Sequence, residues 1–145
     1  MLRILSIFLP TSPPQVPPVA SDESLGILLV SGTHERAHYA FVLASGAAAL
    51  GRDVVLFATN AGCHALMQDW SGLIDAASDL VVRERGVAGL AELRQATVEL
   101  GVRLIACEAG LRAHVLDRAS LLPTVEVAGV ASFLAAARGG QLLSL

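Results

Sequence analysis

Three short, unbroken apolar runs constrain this chain more than any other feature: Leu25–Ser31 (LGILLVS), Asp53–Ala58 (DVVLFA) and Val102–Cys107 (VRLIAC). A strand with one wet face alternates polar and apolar residues, whereas a strand covered on both faces reads as a continuous aliphatic run. Segments of helical character lie between them. Thr33 or Ser31 caps a helix over about His34–Leu50, closed by Gly51, and Asn60 caps a helix reaching about Trp70. Ala88–Leu100 places Leu90, Leu93, Thr97 and Leu100 on one stripe before Gly101. Ser71–Gly86 fits neither period. Further on, Leu111–Ala119 reads as a short helix, Thr124–Val127 as a strand, Val130–Arg138 as a helix and Gln141–Leu145 as an edge strand. Strands alternating with helices require right-handed crossovers, so the expected fold is α/β: a mainly parallel sheet of about five strands between helix layers. No period of the length used by repeat proteins is present.

Composition narrows the function classes. Of 145 residues, 54% are apolar and 16% charged, with a mean hydropathy of +0.62, which excludes disorder over most of the length. The longest uncharged helical stretch, Tyr39–Gly51, is too short to cross a bilayer, and Ala119–Ala137 is interrupted by Pro123, Glu126 and Gly129. So much aliphatic surface in so small a chain suggests that part of it is covered by a second subunit. The net charge is −3, every basic residue is an arginine, and aromatics are 4%; neither a nucleic-acid footprint nor a base-stacking platform is present. Two cysteines do not make a disulfide scaffold and point to a reducing, cytoplasmic setting.

Residues 1–22 stand apart from residues 23–145. Ile4–Leu9 is shorter than the apolar core of a secretion signal, which runs to about 7–15 residues. Pro10, Pro13, Pro14, Pro17 and Pro18 impose an extended backbone, so the segment reads as a flexible tail, with a cleaved signal or an arm across a neighbouring subunit as the alternatives.

In a parallel sheet ligands sit beyond the carboxyl ends of the strands. The reactive side chains fall there: His34, Glu35 and His38 after the first strand, Asn60, Cys63 and His64 after the second, and Cys107, Glu108, Arg112 and His114 at and beyond the end of the third. Cys107 ends a buried strand and opens a helix, where free backbone N–H groups and the positive end of the helix dipole favour thiolate over thiol. Arg112 and His114 would add positive charge; Glu108 opposes them. The bland alternative is a small apolar residue finishing a strand. Cys63 occupies an early helical position after Asn60, or simply packs on the sheet. His34-Glu35-Arg36-Ala37-His38 matches H-E-x-x-H, whose imidazoles could share a metal, but a third ligand is missing and the motif begins its helix. The favoured reading is a polar helix start with two solvated histidines. Ser31 and Gly32, with Thr33, could cradle an anion at a helix N-terminus, although the chain has neither G-x-G-x-x-G nor any lysine for a phosphate loop.

The succession LGILLVSG, ASGAAALGRDVVLFAT, GVRLIACEAGL and VEVAGVASFLAAA resembles the DsrE/DsrF-like family from about Leu25 to Leu145. The resemblance implies a three-layer α/β/α sandwich that self-associates, commonly as trimers or hexamers. It also implies a part in cytoplasmic sulfur relays, in which a cysteine accepts a sulfane sulfur as a persulfide and passes it between donor and acceptor proteins. That role carries over to Cys107 alone. Such exchange uses no cofactor. The expectation is therefore a sulfur carrier or sulfurtransferase, against two alternatives: a non-catalytic oligomeric binding or regulatory subunit, and a small metal-binding protein using His34 and His38.

Overall fold

The computed structural model describes residues 24–145; the readings made for the proline-rich segment fall outside them. Five strands form one fully parallel sheet: β1 (Leu25–Leu29), β2 (Val54–Ala58), β3 (Arg103–Cys107), β4 (Glu126–Ala128) and β5 (Gln141–Ser144), in the order β4-β3-β2-β1-β5. The continuous apolar runs become the three central strands, as expected of strands covered on both faces. Neighbours match in register, with Ile27 beside Leu56 and Leu56 beside Leu104.

Side-chain alternation divides the core between the two sheet faces. On one face Leu25, Ile27, Leu29, Val54, Leu56, Ala58, Leu104 and Ala106 pack beneath α1 (His34–Ala49) and α3 (Leu90–Glu99). Ala37, Ala40 and Ala44 let α1 lie close, and Phe41 fills the remaining space. On the other face Val55, Phe57, Ile105 and Cys107 meet Phe133 and Ala137 of α5 (Val130–Ala136) and its end, with the Phe57 and Phe133 rings stacked at 5.0 Å. These are three layers of unequal weight. Val130, Leu134 and Leu142 remain exposed on or beside the lightly covered face.

Helix ends follow local chemistry. The Thr33 hydroxyl accepts the Arg36 N–H at 3.4 Å, and Gly51 takes φ +84° immediately beyond α1, a conformation that costs glycine little. Several expected boundaries move. Asn60–Leu66 forms a 3₁₀ turn, not a helix to Trp70; Thr59 occupies the cap position and Asn60 itself adopts φ +49°. Hydrogen bonds from Gln68 N–H to Ser120 and from Leu122 N–H to Leu66 pull the chain away from a helical path. The ambiguous segment contains α2 (Ser78–Glu84) after a series of turns. The helix expected from Leu111 is α4 (Glu108–Ala113), starting directly on the end of β3. Of the expected stripe, Leu90 and Thr97 are buried and Leu93 packs on the core, but Leu100, just beyond α3, is 45% exposed and Arg94 is buried instead.

Candidate functional site

The loops after β2 and β3 come together around Gly110. A β-carbon at position 110 would stand 2.6 Å from the Asn60 nitrogen, 3.0 Å from Thr59 Oγ1 and 3.2 Å from Cys63 Sγ. Only glycine admits this approach, which presses the start of α4 against the 3₁₀ turn. Cys107 is the N-cap of α4, and its Sγ accepts the Gly110 N–H at 3.4 Å. The sulfur therefore sits at a helix start with a backbone donor directed at it. Its residue is 8% exposed.

Cys63 is enclosed more completely. It is fully buried, and its thiol donates to the Ala58 carbonyl at 3.4 Å. Burial, and then the neighbouring Cys107 charge, push its pKa up to about 11. Among the described residues both cysteines are free. The sequence placed two thiols on one rim; the structure makes one a locked thiol and the other a sulfur under an N–H donor.

The surrounding charges are arranged less simply than expected. Arg112 donates to Glu108 one turn earlier, at 3.0 Å, and both are exposed. His114 lies just past α4 with its ring edge-on to His64 at 6.4 Å. The hydrogen bond to the Cys107 sulfur comes from Gly110, one of the free backbone N–H groups expected at the helix start. Asn60 contributes its backbone to the seam, not a side-chain cap.

His34 and His38 belong to a separate cluster. His34 is 2% exposed, so it is not solvated: its Nε2 bonds Asp79 Oδ1 at 2.8 Å, and the same oxygen accepts the Leu90 N–H at 2.7 Å. Asp79 lies 45 residues away, which is why the local pattern gave no hint of it. His38 Nε2 is held on the Ala88 carbonyl at 2.8 Å. Among the described residues no group of three or more histidine, cysteine, aspartate or glutamate side chains could hold a metal. At Ser31–Thr33 the N–H groups are already used: Thr33 N–H meets Ser31 Oγ, His34 N–H meets the Ile74 carbonyl, and Arg36 N–H meets Thr33. Gly32 is packed on Ala61, and its carbonyl accepts the Ile74 N–H. Several N–H groups of the anion cradle expected there are thus taken by the chain's own acceptors.

With the sheet order, the half-covered face and the strand-ending cysteine established, comparison with known proteins is decisive. The model of the DsrE/DsrF-like family matches residues 24–143. The chain belongs to the DsrE/DsrF-like family. It is 28% identical to the sulfur carrier protein DsrE2 of Allochromatium vinosum, over 77% of this chain and 90% of that one. It is 26% identical to the uncharacterized protein YrkE of Bacillus subtilis, over 80% and 92%. Among solved structures, the YchN protein of E. coli superposes with a TM-score of 0.65 at 11% identity, covering 85% of this chain and 99% of that one. A protein of unknown function, MTH1491 from Methanobacterium thermoautotrophicum, superposes at 0.55 with 20% identity, over 86% and 100%. These two likenesses establish a shared fold. Among the described residues no helix is long and apolar enough to cross a membrane.

Proposed function

We propose that this member of the DsrE/DsrF-like family is a sulfur carrier that holds sulfane sulfur as a persulfide on Cys107. The observation that carries the reading is the Cys107 sulfur at the carboxyl end of β3, facing the Gly110 N–H on a residue that is 8% exposed. The match to a relative named as a sulfur carrier supports it. In the step, the Cys107 thiolate attacks the outer sulfur of a donor persulfide R–S–SH. A Cys107–S bond forms, the donor S–S bond breaks, and the donor leaves as R–S⁻. The proton stays on the outer sulfur or passes to solvent, and the exchange is redox-neutral. The Gly110 N–H offers a donor to negative charge on the cysteine sulfur. Arg112, once released from Glu108, supplies positive charge along the same turn, and His114 stands beside it as a further hydrogen-bonding group.

Cys63 has the complementary task of remaining inert. A thiol with its pKa near 11 stays protonated at neutral pH and is a poor nucleophile toward the adjacent persulfide. We assign the carrier to a reducing, cytoplasmic setting, with donor and acceptor proteins as partners. The lightly covered face, with Val130, Leu134 and Leu142 exposed, supports assembly into a homo-oligomer, trimeric or hexameric as in the family.

Incubation with a low-molecular-weight persulfide followed by intact-mass measurement tests the reading. Wild type is expected to gain one sulfur atom, which reductant removes, and Cys107→Ser to gain none. An unmodified wild type, or an equal adduct on Cys107→Ser, ends it.

A further inference from the structure

His34 is a buried titratable group that the sulfur chemistry does not use. It stands at the start of α1 with its residue 2% exposed. Burial opposes charge on Asp79, but the Leu90 N–H and His34 hold that carboxyl below its ordinary range. Asp79 is therefore the acceptor of the 2.8 Å bond between them, and His34 Nε2 the donor. The neutral ring then presents its lone pair at Nδ1. Nδ1 meets no partner among the described residues, yet it is not sealed: Arg94 Nε is the one buried side-chain nitrogen or oxygen there without a partner. A ring nitrogen this deep, reachable and unpaired, is an acceptor open to a ligand's donor.

His34 lines a cavity of about 340 Å³ between the first turns of α1, the turn before α2 and α2 itself. Glu35 and Asp75 bring two carboxylates to it and Ser78 a hydroxyl, while Tyr39 and Val82 give it an apolar side. No arginine lines it, and the chain has no lysine. The positive end of α1 points the other way in charge, but there the His34 N–H already meets the Ile74 carbonyl and the Arg36 N–H the Thr33 hydroxyl. Two negative charges, a lone pair and an aromatic ring select a ligand that is positive, rich in N–H donors and partly apolar. We infer that this cavity binds a primary alkylammonium ion, its N–H groups meeting His34 Nδ1 and the carboxylates of Glu35 and Asp75, its chain lying against Tyr39 and Val82. The site is separate from Cys107 and independent of the persulfide reading.

Proton–nitrogen NMR that resolves the imidazole nitrogens of the full chain, titrated with butylammonium chloride at constant ionic strength, tests it. The His34 Nδ1 resonance and the amides of Glu35, Asp75 and Ser78 are expected to shift saturably. Butanol, which has the same chain without the charge, and sodium chloride should leave the Nδ1 resonance in place. Glu35→Gln combined with Asp75→Asn removes both negative charges at exposed positions, and asparagine tolerates the φ of +59° at position 75. That double variant should weaken butylammonium by about tenfold or more. Equal shifts with sodium chloride or butanol, an unmoved Nδ1 resonance, or undiminished affinity in the double variant would each overturn the inference. His34 would then be a clasp for Asp79 at the head of α1 and nothing more.

Discussion

Two cysteines on one rim differ because of what surrounds each sulfur. Cys63 faces a carbonyl and aliphatic packing, and Cys107 faces an N–H. Iodoacetamide at neutral pH should label Cys107 first and leave Cys63 unmodified until the chain unfolds, as read by peptide mass spectrometry. Comparable labelling of the two would show that their environments are alike. The Cys63 thiol also makes stability depend on alkali. Its pKa rises from 9.0 to about 11 on folding, so the folded state holds the proton more tightly than the unfolded chain. The resulting stability is complete below pH 9 and is lost as pH rises toward 11, on the order of 2 kcal/mol. Denaturant titrations across that range should fall for wild type and more gently for Cys63→Ala. The cysteine at a strand end was legible because hydrophobic continuity marked the strand and position marked the rim. Its donor was legible as one of the free N–H groups of a helix start, but which one was not, since a backbone N–H has no letter of its own in a sequence.

At the scale of elements, one hydrogen-bonded aspartate joins three pieces of chain. Asp79 ties α2 to His34 at the start of α1 and to the Leu90 N–H at the start of α3. Burial raises its pKa, but the Leu90 N–H and His34 outweigh this and hold the carboxyl below its ordinary range. That contribution is present above the usual carboxylate range and is lost as pH falls through the lowered value. Asp79→Ala leaves a buried imidazole and a buried N–H without their partner, at an expected cost of roughly 2–4 kcal/mol. Hydrogen exchange should then show α2 opening ahead of the sheet; unchanged protection of α2 would mean the link is decorative. Here sequence legibility ran out for a physical reason. β1, β2 and β3 announce themselves through unbroken apolar runs, and α1 through its cap and closing glycine. The turn Asn60–Leu66 and α2 are held by partners tens of residues away, such as Ser120, Leu122 and His34, so no local period encodes them. Arg94 misled for the same reason: its charge is spent on the carbonyls of Ala65, Met67 and Gln68, which lets it occupy the place a leucine would take.

For the molecule as a whole, the unequal layers set the expectation for assembly. α1 and α3 blanket one sheet face, whereas the seven residues of α5 cover the other. Sedimentation equilibrium should find wild type heavier than one chain, and Leu134→Glu with Leu142→Glu should return it to a monomer that keeps its circular dichroism. A wild type that sediments as a single chain at all concentrations would refute self-association. Cys107 shares its cluster with Ile105, Phe57 and Phe133, so its sulfur belongs to the thinly clad side, not the blanketed one. If copies meet across that side, each loaded cysteine lies near a seam, and the seam's closure decides what can reach it. Loading per chain would then change on dilution, making protein abundance itself a control on cargo.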